Sequence, residues 1–252
     1  MTQKIIAVVN QKGGVGKTTT TINVAAQLAA SGYSVLLADL DPQGNATSGL
    51  GLDKQSPTTM YELLCQGQQL AAAVLQTNVA QLSVVAANTN LVGAEIELVD
   101  RPQREYVLQQ LLQSADYEYI VIDCPPSLGL LTINALTAAT QVLMPVQAEY
   151  YALEGLSQLL NTVQAVKHST NPDLELLGVV LTMYDKRTSL SEQVRDEVKK
   201  YFGENLFKTV IPRNIRLAEA PSYGKTIFEH DKWSKGARAY KALTKEIISR
   251  TQ

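Results

Sequence analysis

The sequence has few cysteines and no long apolar run. Only two of its 252 residues are cysteines, Cys65 and Cys124, and they lie far apart. This scarcity excludes a disulfide framework and a CxxC metal or redox pair, and it favours a reducing compartment. No apolar run approaches the ~18 residues that cross a bilayer, and stretch 5–9 is too short for the core of a signal peptide. We therefore expect a cytoplasmic protein with no stable membrane insertion.

Charge is distributed unevenly along the chain. Residues 1–180 hold 7 Lys and Arg against 15 Asp and Glu, a balance of −8, whereas residues 181–252 hold 15 against 9, a balance of +6. Such an excess arises either from solvated helix faces or from a basic surface that binds a polyanion. The sequence alone leaves both interpretations open.

Short apolar runs alternate with segments of helical periodicity. The runs predict strands at 5–9, 35–38, 82–86, 119–122, 142–146 and 177–182. The periodic segments predict helices at 18–30, 96–112, 130–139, 153–167 and 190–201, with a terminal helix at 236–250. Runs that are continuously apolar are typical of parallel strands covered on both faces. The pattern predicts one α/β domain over residues 1–252, built on a single doubly wound, mostly parallel sheet flanked by helices.

A glycine-rich loop joins the first predicted strand to the first predicted helix. Residues 11–19 read QKGGVGKTT, which in this context is a phosphate-binding loop. Glycines let backbone N–H groups curl around phosphate oxygens, and the start of the helix adds its positive dipole end. Lys17 would contact the β and γ phosphates, and the Thr18 hydroxyl would bind magnesium. The predicted nucleotide-binding residues of this loop are Gly13, Gly14, Val15, Gly16, Lys17, Thr18 and Thr19.

Three carboxylates follow predicted strands. Asp39 and Asp41 end the second strand, and Asp123 ends the strand at 119–122. Ligands of open α/β sheets bind at these strand ends. We assign Asp41 to the attacking water, and Asp39 and Asp123 to the magnesium shell. The prolines at 125–126, with Ser127, form a stiff turn suited to sensing the γ-phosphate.

The loop departs from the usual pattern, which has glycine where Gln11 stands, and it carries an additional lysine, Lys12. KGGVGKTT resembles the deviant Walker A superfamily, which includes the ParA/Soj partition ATPases and MinD. The stretches DPQGN, IVIDCPPS, EYYALEG and IPRNIRLAEAPS are similar to the ParA/Soj family in its short form, without an N-terminal DNA-reading domain. The resemblance covers nearly the whole chain.

This resemblance implies further roles. Lys12 would act in catalysis by reaching the nucleotide of a second subunit in an ATP-bound homodimer. Glu149 would face the partner's ribose, and Pro212 and Asn214 would line the adenine. Basic residues after position 180 would contact non-specific double-stranded DNA and make the protein nucleoid-associated, in agreement with the charge count. The candidates are Lys186, Arg187, Arg195, Arg213 and Arg216, extended by Lys225 and Lys235.

The resemblance to the ParA/Soj family predicts an ATP- and Mg²⁺-dependent DNA-partition ATPase. Slow hydrolysis, which a ParB-like or other adaptor protein stimulates, would return it to its starting state. The first alternative is a MinD-like membrane-surface ATPase, since the terminal helix carries Lys241, Lys245 and Arg250. A second alternative is a nucleotide-dependent metabolic or regulatory enzyme, although His168 and His230 are isolated and no further cofactor motif is visible. The cargo and the adaptor's docking site stay open.

Overall fold

The structure, a computed structural model, describes residues 3–149 and 154–252. A mostly parallel sheet forms the centre of this part of the chain. Within these residues the sheet has seven strands in the order β3-β4-β2-β5-β1-β6-β7, and only β3 is antiparallel to its neighbour. The strands are β1 (Lys4–Val8), β2 (Val35–Asp39), β3 (Val74–Gln76), β4 (Leu82–Val85), β5 (Tyr119–Asp123), β6 (Gln141–Gln147) and β7 (Glu175–Thr182). The predicted fold class is confirmed.

Helices cover both faces of this sheet. In chain order they are α1 (Lys17–Ala30), α2 (Asn45–Gly49), α3 (Met60–Cys65), α4 (Leu70–Ala73), α5 (Leu91–Glu97), α6 (Val107–Leu112), α7 (Leu130–Ala138), α8 (Glu154–Ser169), α9 (Ser189–Phe202), α10 (Ile215–Glu219), α11 (Ile227–Asp231) and α12 (Lys235–Thr251). Short 3₁₀ turns lie at Arg104–Tyr106, Gly203–Asn205 and Ala220–Tyr223.

Successive residues of each central strand pack into two different cores. In β1, Ala7 contributes to one apolar cluster, whereas Ile6 and Val8 contribute to the cluster on the opposite face. Side chains alternate between the faces of a strand. Since both faces are covered, both must be apolar, which explains the continuous apolar runs of the sequence.

The prediction of one helix over 96–112 is wrong. The segment contains the end of α5, a 3₁₀ turn and α6. Pro102 interrupts it, because proline has no N–H group for the helix and disfavours helical geometry in the residue before it. Gln103 then takes a left-handed conformation with φ 56°. Strand β3 and the short helices α2, α3 and α4 were not predicted, since such short elements carry little periodic signal. The predicted start of a helix at Leu153 lies outside the described residues.

The terminal helix α12 packs its apolar side inside the fold. Tyr240, Leu243 and Ile247 are at most 1% exposed and join the cluster that contains α1. The Arg250 guanidinium donates to the carbonyl of Leu177 at 2.7 Å and stands over the Phe207 ring. Among the described residues, no helix has both the length and the apolar character needed to cross a membrane.

Candidate functional site

The phosphate loop forms an open cradle between β1 and α1. Gly14 and Gly16 have φ values of 74° and 87°, a left-handed conformation that side chains other than glycine rarely adopt. A Cβ placed on Gly13 or Gly14 would meet no atom within 4 Å. The loop therefore presents unobstructed backbone at the positive end of a helix, as binding of a phosphate chain requires.

Contacts from neighbouring strands hold this loop in place. The Asn10 side chain donates to the Pro145 carbonyl at 2.8 Å and accepts from the Lys12 N–H at 2.9 Å. At the other end, the Thr182 hydroxyl donates to the Val15 carbonyl at 2.7 Å. Thr182 was missed by sequence reasoning, because nothing local indicates that the end of β7 reaches the loop.

Asp39 and Asp123 face each other at the carboxyl ends of adjacent strands. They are register partners between β2 and β5, and both are fully buried. The Thr21 hydroxyl donates to Asp123 Oδ1 at 2.8 Å, whereas Oδ2 has no hydrogen-bond partner among the described residues. Burial, together with the Asp39 charge, raises the pKa of Asp123 to about 8. A buried carboxylate oxygen without a partner fits a magnesium ion or a water bound to it.

Asp39 makes more hydrogen bonds than Asp123. Its Oδ2 accepts from the Thr47 N–H at 2.9 Å and from the Thr47 hydroxyl at 2.7 Å, and its Oδ1 accepts from the Asp41 N–H at 3.2 Å. Burial raises the pKa of Asp39 to about 6. Asp39 therefore fastens α2 to β2, and its predicted place in the magnesium shell stays a prediction. Thr47 was not expected at the site.

Lys17 and Asp41 complete the charged part of the site. Lys17 is 7% exposed, and its ammonium donates to the Lys12 carbonyl at 3.2 Å. Burial lowers the pKa of Lys17, an effect that the nearby Asp123 opposes. Asp41 is 6% exposed, and its Oδ1 accepts from the Gln43 N–H at 2.9 Å. Burial also raises the pKa of Cys124 well above its usual value, which makes this thiol a poor nucleophile.

An apolar cleft of about 400 Å³ lies beside the phosphate loop. Pro212 and Asn214, predicted to line the adenine, are among its walls, together with Gly16 and Thr19 of the loop. Met183 also lines the cleft, and its φ of 50° is unusual for a residue other than glycine. The cleft has the size and composition of a small-ligand site next to the phosphate cradle.

Lys12 is half-exposed and paired within its own chain. Its ammonium lies 3.6 Å from Glu149 Oε2, and the Arg213 guanidinium lies 3.9 Å from Glu149 Oε1. Glu149 therefore stands between the additional lysine of the loop and a basic residue predicted to contact DNA.

The predicted DNA-contacting residues fall into separate groups. Lys186, Arg187 and Arg213 line a pocket of about 650 Å³ with Lys235, which we call the basic pocket. Arg195 lines a different, smaller pocket. Three of the candidate arginines have carboxylate partners in the chain. Arg187 bonds to Asp185 and Arg213 lies near Glu149. Arg216 lies against Glu219 and Asp231.

Arg216 is outside both pockets, and Lys225 is exposed.

A glycine cradle at a helix start, a buried lysine and acidic strand ends define a P-loop nucleoside triphosphatase. The family model described as "AAA domain" matches residues 3–176. Sporulation initiation inhibitor protein Soj of Bacillus subtilis (strain 168) is 56% identical over 249 residues, 98% of each chain. Chromosome partitioning protein ParA of Myxococcus xanthus (strain DK1622) is 51% identical over 250 residues, 98% of this chain and 88% of the relative.

Among solved structures, cobyrinic acid a,c-diamide synthase from Mycobacterium smegmatis with bound ADP and magnesium superposes with a TM-score of 0.88. It is 39% identical and covers 99% of this chain and 96% of its own. The chain belongs to the Soj/ParA family of chromosome-partitioning ATPases.

Proposed function

We propose that this ATPase is a nucleotide-driven DNA-partition switch. ATP is its nucleotide and Mg²⁺ its metal ion. The ATP-bound form pairs as a homodimer, binds non-specific duplex DNA in the cytoplasm and thereby associates with the nucleoid. Slow hydrolysis, accelerated by a ParB-like or other adaptor protein, returns it to a form that releases DNA. Such a switch requires only that the two nucleotide states differ in their affinity for DNA.

Each residue of the nucleotide site has a role that its surroundings support. The backbone of residues 13–19 holds the phosphates, and Lys17 neutralises their charge from within the protein. Thr18 and the free oxygen of Asp123 would hold magnesium, which supplies positive charge to the β and γ phosphates when bound. Asp41, two residues after the end of β2, orients the attacking water.

Lys12 connects hydrolysis to pairing of two subunits. Its partial exposure leaves the ammonium able to leave Glu149 and reach the phosphates of a second subunit. An exposed ion pair of this kind contributes little free energy, so exchanging it for a phosphate contact is favourable. Glu149 would then become available to the ribose of the partner's nucleotide.

One observation carries the proposal: Pro212 and Arg213 line both the apolar cleft and the basic pocket. Nucleotide that fills the cleft touches the same short segment whose arginine faces the candidate DNA surface. The nucleotide state can therefore change the arrangement of basic residues without a long pathway between the two sites. This adjacency supports ATP-dependent DNA binding.

The membrane-surface alternative has lost its main support. It needs a free amphipathic helix with an exposed apolar face. The apolar side chains of α12 are buried, and Arg250 is bonded to backbone carbonyls. We therefore favour DNA as the polyanion.

The test is binding to random-sequence duplex DNA across a salt series, with ATP, with ADP and without nucleotide. We expect binding with ATP only, weakening steeply as salt rises, because phosphate contacts release counterions. Arg213→Ala should weaken binding and reduce the salt slope by about one, as removal of a single phosphate contact predicts. Equal or absent binding in all three states would refute the switch and leave the ATPase assignment intact.

A further inference from the structure

The single tryptophan of the chain, Trp233, is among its most exposed large side chains. Trp233 is 78% exposed. Tryptophan side chains are usually well buried, because the ring has a large apolar area, and they are enriched at interfaces. The exposed indole is therefore a candidate contact residue, provided that its neighbours favour a particular partner.

The backbone around Trp233 is fixed on both sides. Its N–H donates to Asp231 Oδ1 at 3.1 Å, and the next residue, Ser234, caps α12 by accepting from the Ala237 N–H at 3.0 Å. The ring itself has the Lys232 ammonium 5.3 Å from its centroid. The indole therefore belongs to a turn held by backbone hydrogen bonds, and the Lys232 ammonium lies beside the ring.

This turn is continuous with the basic pocket. Lys235, two residues further on, lines that pocket together with Arg187 and Arg213. On the other side, Arg216 lies 3.8 Å from Asp231, whose carboxylate also holds the Trp233 backbone. Lys232 and Lys235 therefore lie on either side of Trp233 in the chain, and Arg216 approaches the same turn through Asp231.

We propose that Trp233 is a contact residue for duplex DNA, packing its ring against the sugar–phosphate edge or into the minor groove. The inference rests on the proposed DNA-binding function and adds to it an apolar contact that no basic residue supplies. Apolar side chains contribute to minor-groove binding without reading a full base code, so this contact suits non-specific recognition. Its contribution to affinity does not depend on counterion release and is therefore insensitive to salt.

The unique tryptophan makes a direct test possible. Fluorescence of the wild-type protein is recorded while random-sequence duplex DNA is added, with ATP and separately with ADP. We expect the emission of Trp233 to change with ATP and to stay constant with ADP. DNA binding without any change in emission would overturn the inference. A blue shift with phosphatidylglycerol vesicles and none with DNA would also overturn it, in favour of a lipid surface.

Substitutions distinguish the contribution of the Trp233 ring to DNA affinity from the contribution of the neighbouring charges. Trp233→Ala should weaken DNA binding about tenfold, the effect of losing one aromatic contact, with an unchanged slope of log K against log salt. Trp233→Phe should retain most of the affinity. The matched control, Lys235→Ala, should instead make the salt slope shallower by about one.

The failures of the two proposals are distinguishable. Wild-type affinity in Trp233→Ala would overturn the contact while DNA binding itself persisted. Absence of DNA binding by the wild-type protein would overturn both proposals. Because the ring is exposed, both tryptophan variants should keep the wild-type melting temperature by circular dichroism, so a lost affinity is not a folding defect.

Discussion

Asp123 is fully buried, and one of its carboxylate oxygens has no hydrogen-bond partner among the described residues. A buried carboxylate in this setting favours its protonated form until a cation arrives. The sequence predicts an aspartate at the end of an apolar strand, but it contains no information on whether the carboxylate is bonded or free. Thr21 and Asp39, which determine this, are distant in sequence and meet only in the folded chain.

The raised pKa of Asp123 leads to a prediction about stability. The folded-state pKa is about 8, against 3.8 as the ordinary value. The folded protein therefore binds more protons than the unfolded chain in this interval, and stability falls as pH rises through about 8. We expect the melting temperature of nucleotide-free, magnesium-free protein to fall between pH 6 and pH 8.5.

Asp123→Asn is the matched variant, since an amide has the same shape and cannot ionise in this range. Its melting temperature should fall less over the same interval, measured by circular dichroism. Because Asp39 and Asp123 interact electrostatically, the difference between the two proteins reports the titration of this carboxylate pair. An equally steep decline in Asp123→Asn would contradict the prediction.

At the scale of elements, hydrophobic periodicity predicted most of the larger strands and helices, while short or interrupted elements escaped it. The segment around Pro102 shows why, because apolar residues on either side of a break can keep helical spacing. The terminal helix was expected at 236–250 and spans Lys235–Thr251. Its periodicity did not reveal whether its apolar side faces the protein or a membrane.

The packing of α12 leads to a prediction about folding. Leu243 is 0% exposed in the cluster that also contains α1. Leu243→Ala should destabilise the protein by about 2–5 kcal/mol, the usual cost of removing a buried leucine side chain. The neighbouring exposed residue Lys241 offers a control, and Lys241→Ala should change stability by less than about 0.5 kcal/mol.

Urea denaturation measures both variants. If Leu243→Ala were as mild as Lys241→Ala, the apolar side of α12 would not be docked on the sheet. The membrane-surface alternative would then regain its support.

At the scale of the whole molecule, two residues of the nucleotide site should have opposite effects on assembly. Asp41→Ala should slow hydrolysis by about 100-fold or more, because the attacking water would lose the carboxylate proposed to orient it, and the ATP-bound dimer should accumulate. Lys12→Ala should weaken both dimer formation and hydrolysis, because the cation proposed to reach the nucleotide of a second subunit would be lost.

Analytical ultracentrifugation with ATP, together with phosphate release, reports both effects. The Lys17→Ala variant serves as a control that should bind ATP poorly and remain monomeric. Identical behaviour of the Asp41 and Lys12 variants in dimerisation and hydrolysis would refute the division of roles between them.

Sequence alone determined the phosphate loop, the strand character of the apolar runs and the family of this protein. These features are local, because glycine spacing, continuous apolarity and a helix start are encoded in contiguous residues. Only the tertiary structure determined that the Thr182 hydroxyl bonds to the Val15 carbonyl. Only the tertiary structure determined that Pro212 and Arg213 line both the apolar cleft and the basic pocket. The same holds for the separation of Arg195 from Lys186. These relations depend on strand order and helix docking, which bring distant segments together through burial of both sheet faces rather than through any local pattern.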